Sequence, residues 1–149
     1  MNPIINDLDK YRFENLNRTN PHIKYLEHEW SLYKYAVLER NPVIYQEIRQ
    51  LLNNKNDYPV TEFYRLIDLA FQSNLTSGQV INACEHVYGY FKKIASDEEK
   101  SEYTQLIKKV KEDISALVLI KKFLYDLSVK YEQKYLMNSY YFFVDINKE

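Results

Sequence analysis

Asn82-Ala83-Cys84-Glu85-His86-Val87-Tyr88-Gly89-Tyr90-Phe91-Lys92-Lys93 is the stretch whose reading decides the fold class. Laid out at about 100° per residue, Val80, Ala83, Cys84, Val87, Phe91 and Ile94 fall on one face, and that stripe predicts a helix packed on a core. Asn82, His86, Gly89 and Lys93 fall on the opposite face, where ordinary packing does not need them. Gly89 is one of only two glycines in the chain. Inside a helix a glycine costs roughly 0.5–1 kcal/mol relative to alanine, so its presence there points to something approaching the backbone closely. Two readings stay open. Gly89 leaves room for a ligand over a small polar platform, or it admits a neighbouring helix against a central helix covered on both sides.

The composition supports helices throughout. Two glycines and four prolines in 149 residues leave little material for hairpin turns. A hydrophobic fraction of 46% with 28% charged residues is that of a globular chain long enough to bury one core. The longest apolar run, Ala116 to Ile120, stops at Lys121-Lys122, far short of the ~20 residues of a membrane span. The start, MNPIINDLDKYRF, lacks the basic opening and apolar core of a secretion signal, and the cytosol is the expected compartment. A lone cysteine excludes an internal disulfide framework. The net charge of −1 means that nucleic-acid binding would have to use a local patch.

Outward from the central stretch, start and stop signals divide the chain. Residues 1–19 carry many asparagines and no long period, and read as an irregular arm. Residues 20–149 read as a single helical domain of six to seven helices. Asn20-Pro21 and Asn41-Pro42 each pair a capping residue with proline at the first helical position. The first pair opens a helix with Ile23, Leu26, Trp30, Tyr33 and Val37 inward, to about Arg40. Tyr25, Leu32 and Tyr35 give it a second semi-apolar side, which marks it as central. The next helix runs to about Asn53, and a third starts at Pro59 with Val60, Phe63, Ile67, Ala70 and Phe71. Thr76-Ser77-Gly78-Gln79 and Ser96-Asp97-Glu98-Glu99 have capping-box spacing. The stripe Tyr103, Leu106, Ile107, Val110, Ile114 and the stripe Ile120, Phe123, Leu124, Leu127, Tyr131 are rotated by about 100° on one continuous helix. A break between Glu112 and Leu117 is therefore predicted, followed by a short aromatic segment from Lys134 to Phe143.

Residues with chemistry are sparse. His22, His28 and His86 lack metal-pair spacing, so no metal or cofactor is expected. No phosphate loop and no nucleophile elbow is present, and Cys84 falls on the apolar face as an inert thiol. No catalytic residue is assigned. Lysines cluster at Lys92-Lys93, at Lys108-Lys109-Lys111 and at Lys121-Lys122, either as solvated faces or as a phosphate-contacting edge. Fifteen tyrosines supply rings suited to helix packing and to base stacking.

Residues from Trp30 to about Phe142 resemble the YbgA-type domain family, a domain of unknown function of bacterial type. One block is Trp30, Tyr33-Lys34-Tyr35, Arg40-Asn41-Pro42 and Tyr45. A second is Asn82, Glu85-His86 and Gly89-Tyr90-Phe91-Lys92, and a third is Tyr135-Leu136, Ser139 and Tyr141. Tyr33 and Arg40 stand where the family pattern has histidine, and Glu85 and Ser139 where it has glutamine. Some relatives carry this domain fused to a cysteine-rich desulfidase-like domain that acts on thiolated uracil. The resemblance implies an accessory module that holds tRNA and is not itself a desulfidase, with a separate cysteine-rich protein as its companion.

The expected function is thus RNA binding, with tRNA as the expected ligand, tied to thionucleoside metabolism. Lys34, Arg40, Lys92 and Lys93 are expected at phosphates, Tyr35 and Tyr90 against bases or ribose, Asn82 and His86 as hydrogen-bonding groups, and Gly89 at a close approach. A second reading is a protein-interaction module docking on a partner enzyme. A third is a small enzyme acting on a nucleobase or nucleotide with His86 as acid–base, which requires an enclosed pocket at His86.

Overall fold

The structure, a computed structural model, describes residues 3–143 and the side chains of residues 8–143. Residues 1 and 2 of the expected arm and residues 144–149 of the expected domain lie outside the described residues. Among the described residues the fold is all-α, with eight helices: α1 Pro3–Leu16, α2 Ile23–Arg40, α3 Pro42–Leu51, α4 Val60–Gln72, α5 Ser77–Tyr88, α6 Asp97–Glu112, α7 Leu117–Lys130 and the single turn α8 Lys134–Met137. Short 3-10 turns at Ile114–Ala116 and Tyr140–Phe142 complete the described residues. None of these helices is long and apolar enough to cross a membrane.

Most boundaries follow from local caps. Asn41 accepts from the Ile44 amide and is followed by proline in the first turn of α3. Ser96 and Glu99 form a reciprocal capping box at the start of α6. The predicted break between α6 and α7 is present: Asp113 ends α6 and accepts from Ser115, and the 3-10 turn re-aims the chain so that Tyr103, Ile107 and Val110 of one stripe and Ile120, Leu124 and Leu127 of the other reach the core, while Ile114 of the first stripe, on the turn itself, is 37% exposed. The start of α2 differs from expectation. His22, in extended backbone, is the N-cap, its Nδ1 accepting from the Lys24 amide at 3.0 Å, and Asn20-Pro21 precede the helix. Ile23, the first residue of the helix, is also its first buried one.

The arm predicted as irregular is the helix α1. Its docking is largely polar, which an apolar period does not register. Arg12 grips Asp68 of α4 through both guanidinium nitrogens at 2.6 and 2.7 Å. Asn15, buried, donates to the Tyr64 hydroxyl at 2.9 Å and receives the Tyr58 hydroxyl on its carbonyl at 2.7 Å.

Two apolar clusters meet at α2. One joins Tyr35 and Leu38 to α5, α6, α7 and the aromatic end segment; the other joins Ile23, Leu26, Tyr33 and Val37 to α3 and α4. From Tyr35 to Arg40 every residue of α2 is buried. On α5 the core face holds Val80, Ala83, Cys84 and Val87, and Phe91 just beyond it is also buried; Ile94 is 53% exposed, a correction to the predicted stripe. The chain past Gly89 tightens into turns, with Phe91 N bonded to Tyr88 O and Ile94 N to Phe91 O, so the 3.6-residue period no longer holds there.

Candidate nucleic-acid interface

Gly89 is not inside a helix. It is the C-terminal cap of α5, with right-handed backbone (φ −53°, ψ −27°) and its amide bonded to Glu85 O at 3.0 Å. A methyl group there would meet only the carbonyls of its own preceding turn, His86 O at 3.2 Å and Glu85 O at 3.4 Å. No neighbouring helix closes on it, so the predicted close approach of a second helix is absent.

The remaining predicted site residues divide between surface and interior. Asn82, His86, Lys92 and Lys93 are exposed, as their arc on α5 and the following turn required. The open setting of His86 lacks the enclosure that an acid–base role called for. Arg40 is only 1% exposed, with its guanidinium 4.7 Å from the Phe71 ring centre, and it does not reach the surface where a phosphate would lie. Tyr35 is buried too; its ring meets Tyr90 edge-on and the two hydroxyls are 2.9 Å apart. Both expectations are corrected by one cause: α2 is covered on all sides over its last two turns. Tyr35 supports Tyr90 from beneath instead of meeting a base.

Tyr90, on the turn after α5, is 36% exposed, and Tyr135 of α8 is 40% exposed. Their rings lie nearly parallel, 6.4 Å between centroids and 19° between planes. Lys34, half-buried on α2, places its ammonium 5.8 Å from the Tyr135 ring centre and 5.3 Å from that of Tyr35. Desolvation lowers the Lys34 pKa, and the charge of Arg49 on α3 lowers it further. Trp30, one turn before Lys34, packs on Tyr45 with centroids 5.3 Å apart, and Arg49 lies 5.9 Å from the Tyr45 ring. Neither Lys34 nor Arg49 forms an ion pair among the described residues.

Trp30, Tyr45, Arg49 and Tyr135 were absent from the predicted site. The signal was available in part, since Trp30 and Lys34, and Tyr45 and Arg49, are each spaced i, i+4 and share a helix face. Their meeting with Tyr135 needs the tertiary fold.

A second surface lies on the other flank of α5. Glu85, Tyr88 and Lys92 face Lys100, Tyr103 and Thr104 of α6 across an open cleft of about 400 Å³. Tyr88 and Tyr103 stack at 3.7 Å and 5°, and Tyr103 donates to Glu85 at 2.7 Å. By helical arc, Asn82 and His86 lie between this cleft and the Tyr90 side.

Two other groups are internal, Lys121 against expectation and Cys84 in line with it. Lys121, predicted within a lysine face, is buried, its ammonium bonded to Glu39 at 2.7 Å and to Tyr141 O at 2.9 Å. Cys84 is buried, and burial pushes its thiol up to about 11, as an inert cysteine requires.

A family model described as a protein of unknown function (DUF1722) matches residues 34–144. No curated protein and no solved structure matches the chain. The positions that depart from the YbgA-type pattern have structural partners here. Tyr33 packs edge-on against Phe71 and Tyr140, Arg40 lies over Phe71, Glu85 holds Tyr103, and Ser139 donates to Leu32 O and accepts from the Tyr141 amide.

Proposed function

The chain belongs to the DUF1722 family, and on that premise we propose that it is an accessory RNA-binding module. Its partner is tRNA, and it serves thionucleoside metabolism beside a separate cysteine-rich desulfidase, without itself removing sulfur. The observation that carries the reading is Lys34: a half-buried cation with no carboxylate partner among the described residues, set against the exposed Tyr90–Tyr135 stack. A cation beside open aromatic rings suits a nucleotide backbone with an unpaired base. Lys92 and Lys93, with Asn82 and His86, extend the polar surface around the end of α5. The thionucleoside connection rests on the resemblance to domains fused to desulfidases. In this form the site keeps Lys34, Asn82, His86, Gly89, Tyr90, Lys92 and Lys93 from the predicted set, gains Tyr135, and loses Arg40 and Tyr35 to the interior.

The test is fluorescence anisotropy of labelled tRNA across a salt series. Binding that weakens linearly in log–log form as salt rises is expected, because neutralised phosphates release counterions. No binding at low salt overturns the reading. Protein docking is the second reading, favoured by exposed Ile114, Val118 and Leu119 at the α6–α7 junction. Substitutions there should leave RNA binding unchanged, and a loss of RNA affinity on changing Val118 and Leu119 to serine would move the RNA site to that end.

A further inference from the structure

Lys34 on α2 and Arg49 on α3 flank the packed Trp30–Tyr45 pair, Lys34 one turn past Trp30 and Arg49 5.9 Å from the Tyr45 ring centre, and neither is neutralised by a carboxylate among the described residues. Around them stand four rings from four places in the chain: Trp30 on α2, Tyr45 on α3, Tyr90 after α5 and Tyr135 on α8. Tyr45 is near enough to Tyr35 and Tyr135 to influence the ionisation of both. Uncompensated like charges held together are relieved by an anion between them, and open rings favour a planar group beside that anion. Phosphate alone has no use for the rings, and a neutral aromatic molecule has none for the cations. A nucleotide uses both.

Resting on the RNA-binding reading above, we propose that the surface shared by α2, α3 and α8 is a site for one unpaired nucleotide of the RNA. Lys34 and Arg49 hold its phosphate, and its base stacks on Tyr135, the most exposed of the four rings. Tyr90 backs Tyr135, and Tyr35 backs Tyr90 through its hydroxyl, so the stacking ring rests on a second ring that a third holds in place. Trp30 and Tyr45 form the other wall. Paired bases in a duplex do not offer a face to Tyr135, so the site selects single-stranded segments over helical ones.

Trp30 is the only tryptophan in the chain and stands within the site, so its emission reports occupancy directly. The experiment titrates the protein with a single strand of about 12 nucleotides, with the duplex it makes with its complement, and with inorganic phosphate. Wild type, Arg49→Ala and Tyr135→Ala are compared, and thermal melting establishes that each variant is folded. The single strand is expected to quench Trp30 and to bind at least about tenfold tighter than the duplex, and each substitution to weaken it about fivefold or more. Equal affinity for duplex and single strand overturns the proposal. So does quenching reproduced by phosphate alone, or single-strand binding by both folded variants that matches wild type. Labelled tRNA separates the two levels. If tRNA binds while these results go the wrong way, the one-nucleotide site falls and RNA binding stands; if tRNA does not bind, both fall.

Discussion

Tyr90 and Tyr135 lie 6.4 Å apart and within 19° of parallel, although one follows α5 and the other sits on the single-turn helix α8. Nothing nearer in sequence joins them. They are brought together by α2, whose Tyr35 bonds the Tyr90 hydroxyl and whose Lys34 lies over the Tyr135 ring. Short α8 is therefore placed by contacts with α2 and α7, and its ring is exposed because its backbone is anchored by buried Leu136. Truncating Leu136 to alanine should lower stability by about 2–5 kcal/mol in denaturant unfolding, and should release the Tyr135 ring in the same variant.

Gly89→Ala is expected to be neutral or to stabilise by up to about 0.5–1 kcal/mol. The backbone there is right-handed, and the new methyl group meets only its own helical turn. Thermal melting checks this. A loss of more than about 1 kcal/mol would mean that a neighbour packs against this position after all.

The Lys121–Glu39 pair is enclosed, with side chains 8% and 0% exposed. Lys121→Met should destabilise by about 3–5 kcal/mol, since it leaves a carboxylate inside the core without its ammonium. Adding Glu39→Leu to that variant should recover part of the loss. Urea unfolding of the single and double variants decides the point, and a double variant no better than the single would show that the charge was not the cause.

Glu29, 1% exposed, accepts from the Tyr64 hydroxyl at 2.8 Å and from Tyr140 at 3.3 Å. Burial raises its carboxyl above the ordinary 4.5 even though both phenols pull it down. The folded value is the higher one, so its contribution is full below pH 4.5 and declines as pH rises through the folded value. Glu29→Gln keeps an acceptor and removes the titration, so its stability relative to wild type should improve as pH rises over that window. Glu29→Leu leaves two hydroxyls without an acceptor and should cost about 1–3 kcal/mol for each. Denaturant midpoints measured from acid to neutral pH test both.

Glu99 shifts the opposite way. Lys130 at 2.7 Å, Tyr131 at 2.5 Å and the Ser96 amide at 2.8 Å hold its carboxyl down to about 2. Its contribution is present above the ordinary value of 4.5 and is lost as pH falls toward 2. The stability gap between wild type and Glu99→Gln should therefore be constant above that window and close within it. Much of Lys130 is exposed, so salt should narrow the gap as well.

Helix starts and stops at Asn41, Ser96 and the α6–α7 break were legible because each is set by groups a few residues apart. The stripe of α5 was legible for the same reason. Helix α1 was not, because Arg12 and Asn15 dock it on Asp68 and Tyr64 through polar bonds that leave no apolar period. Gly89 misled because a glycine ending a helix with right-handed backbone leaves the same local pattern as one within it. Arg40 and Tyr35 were expected at phosphate and base although Tyr35 lies on the second semi-apolar side that marks α2 as central; the packing of α2 between two clusters places both inside. The i, i+4 spacings of Trp30 with Lys34 and of Tyr45 with Arg49 were legible, but the meeting of these two pairs with Tyr90 and Tyr135 is a tertiary fact that no spacing announces.

The most direct measurement is the affinity of labelled tRNA for wild type and for the Lys34→Ala, Lys92→Ala double variant, at low and moderate salt. The proposed interface predicts binding weakened about tenfold or more, with a salt slope shallower by about 1.5 as two phosphate contacts are lost. Indistinguishable curves for the two proteins, with both folded, would contradict it.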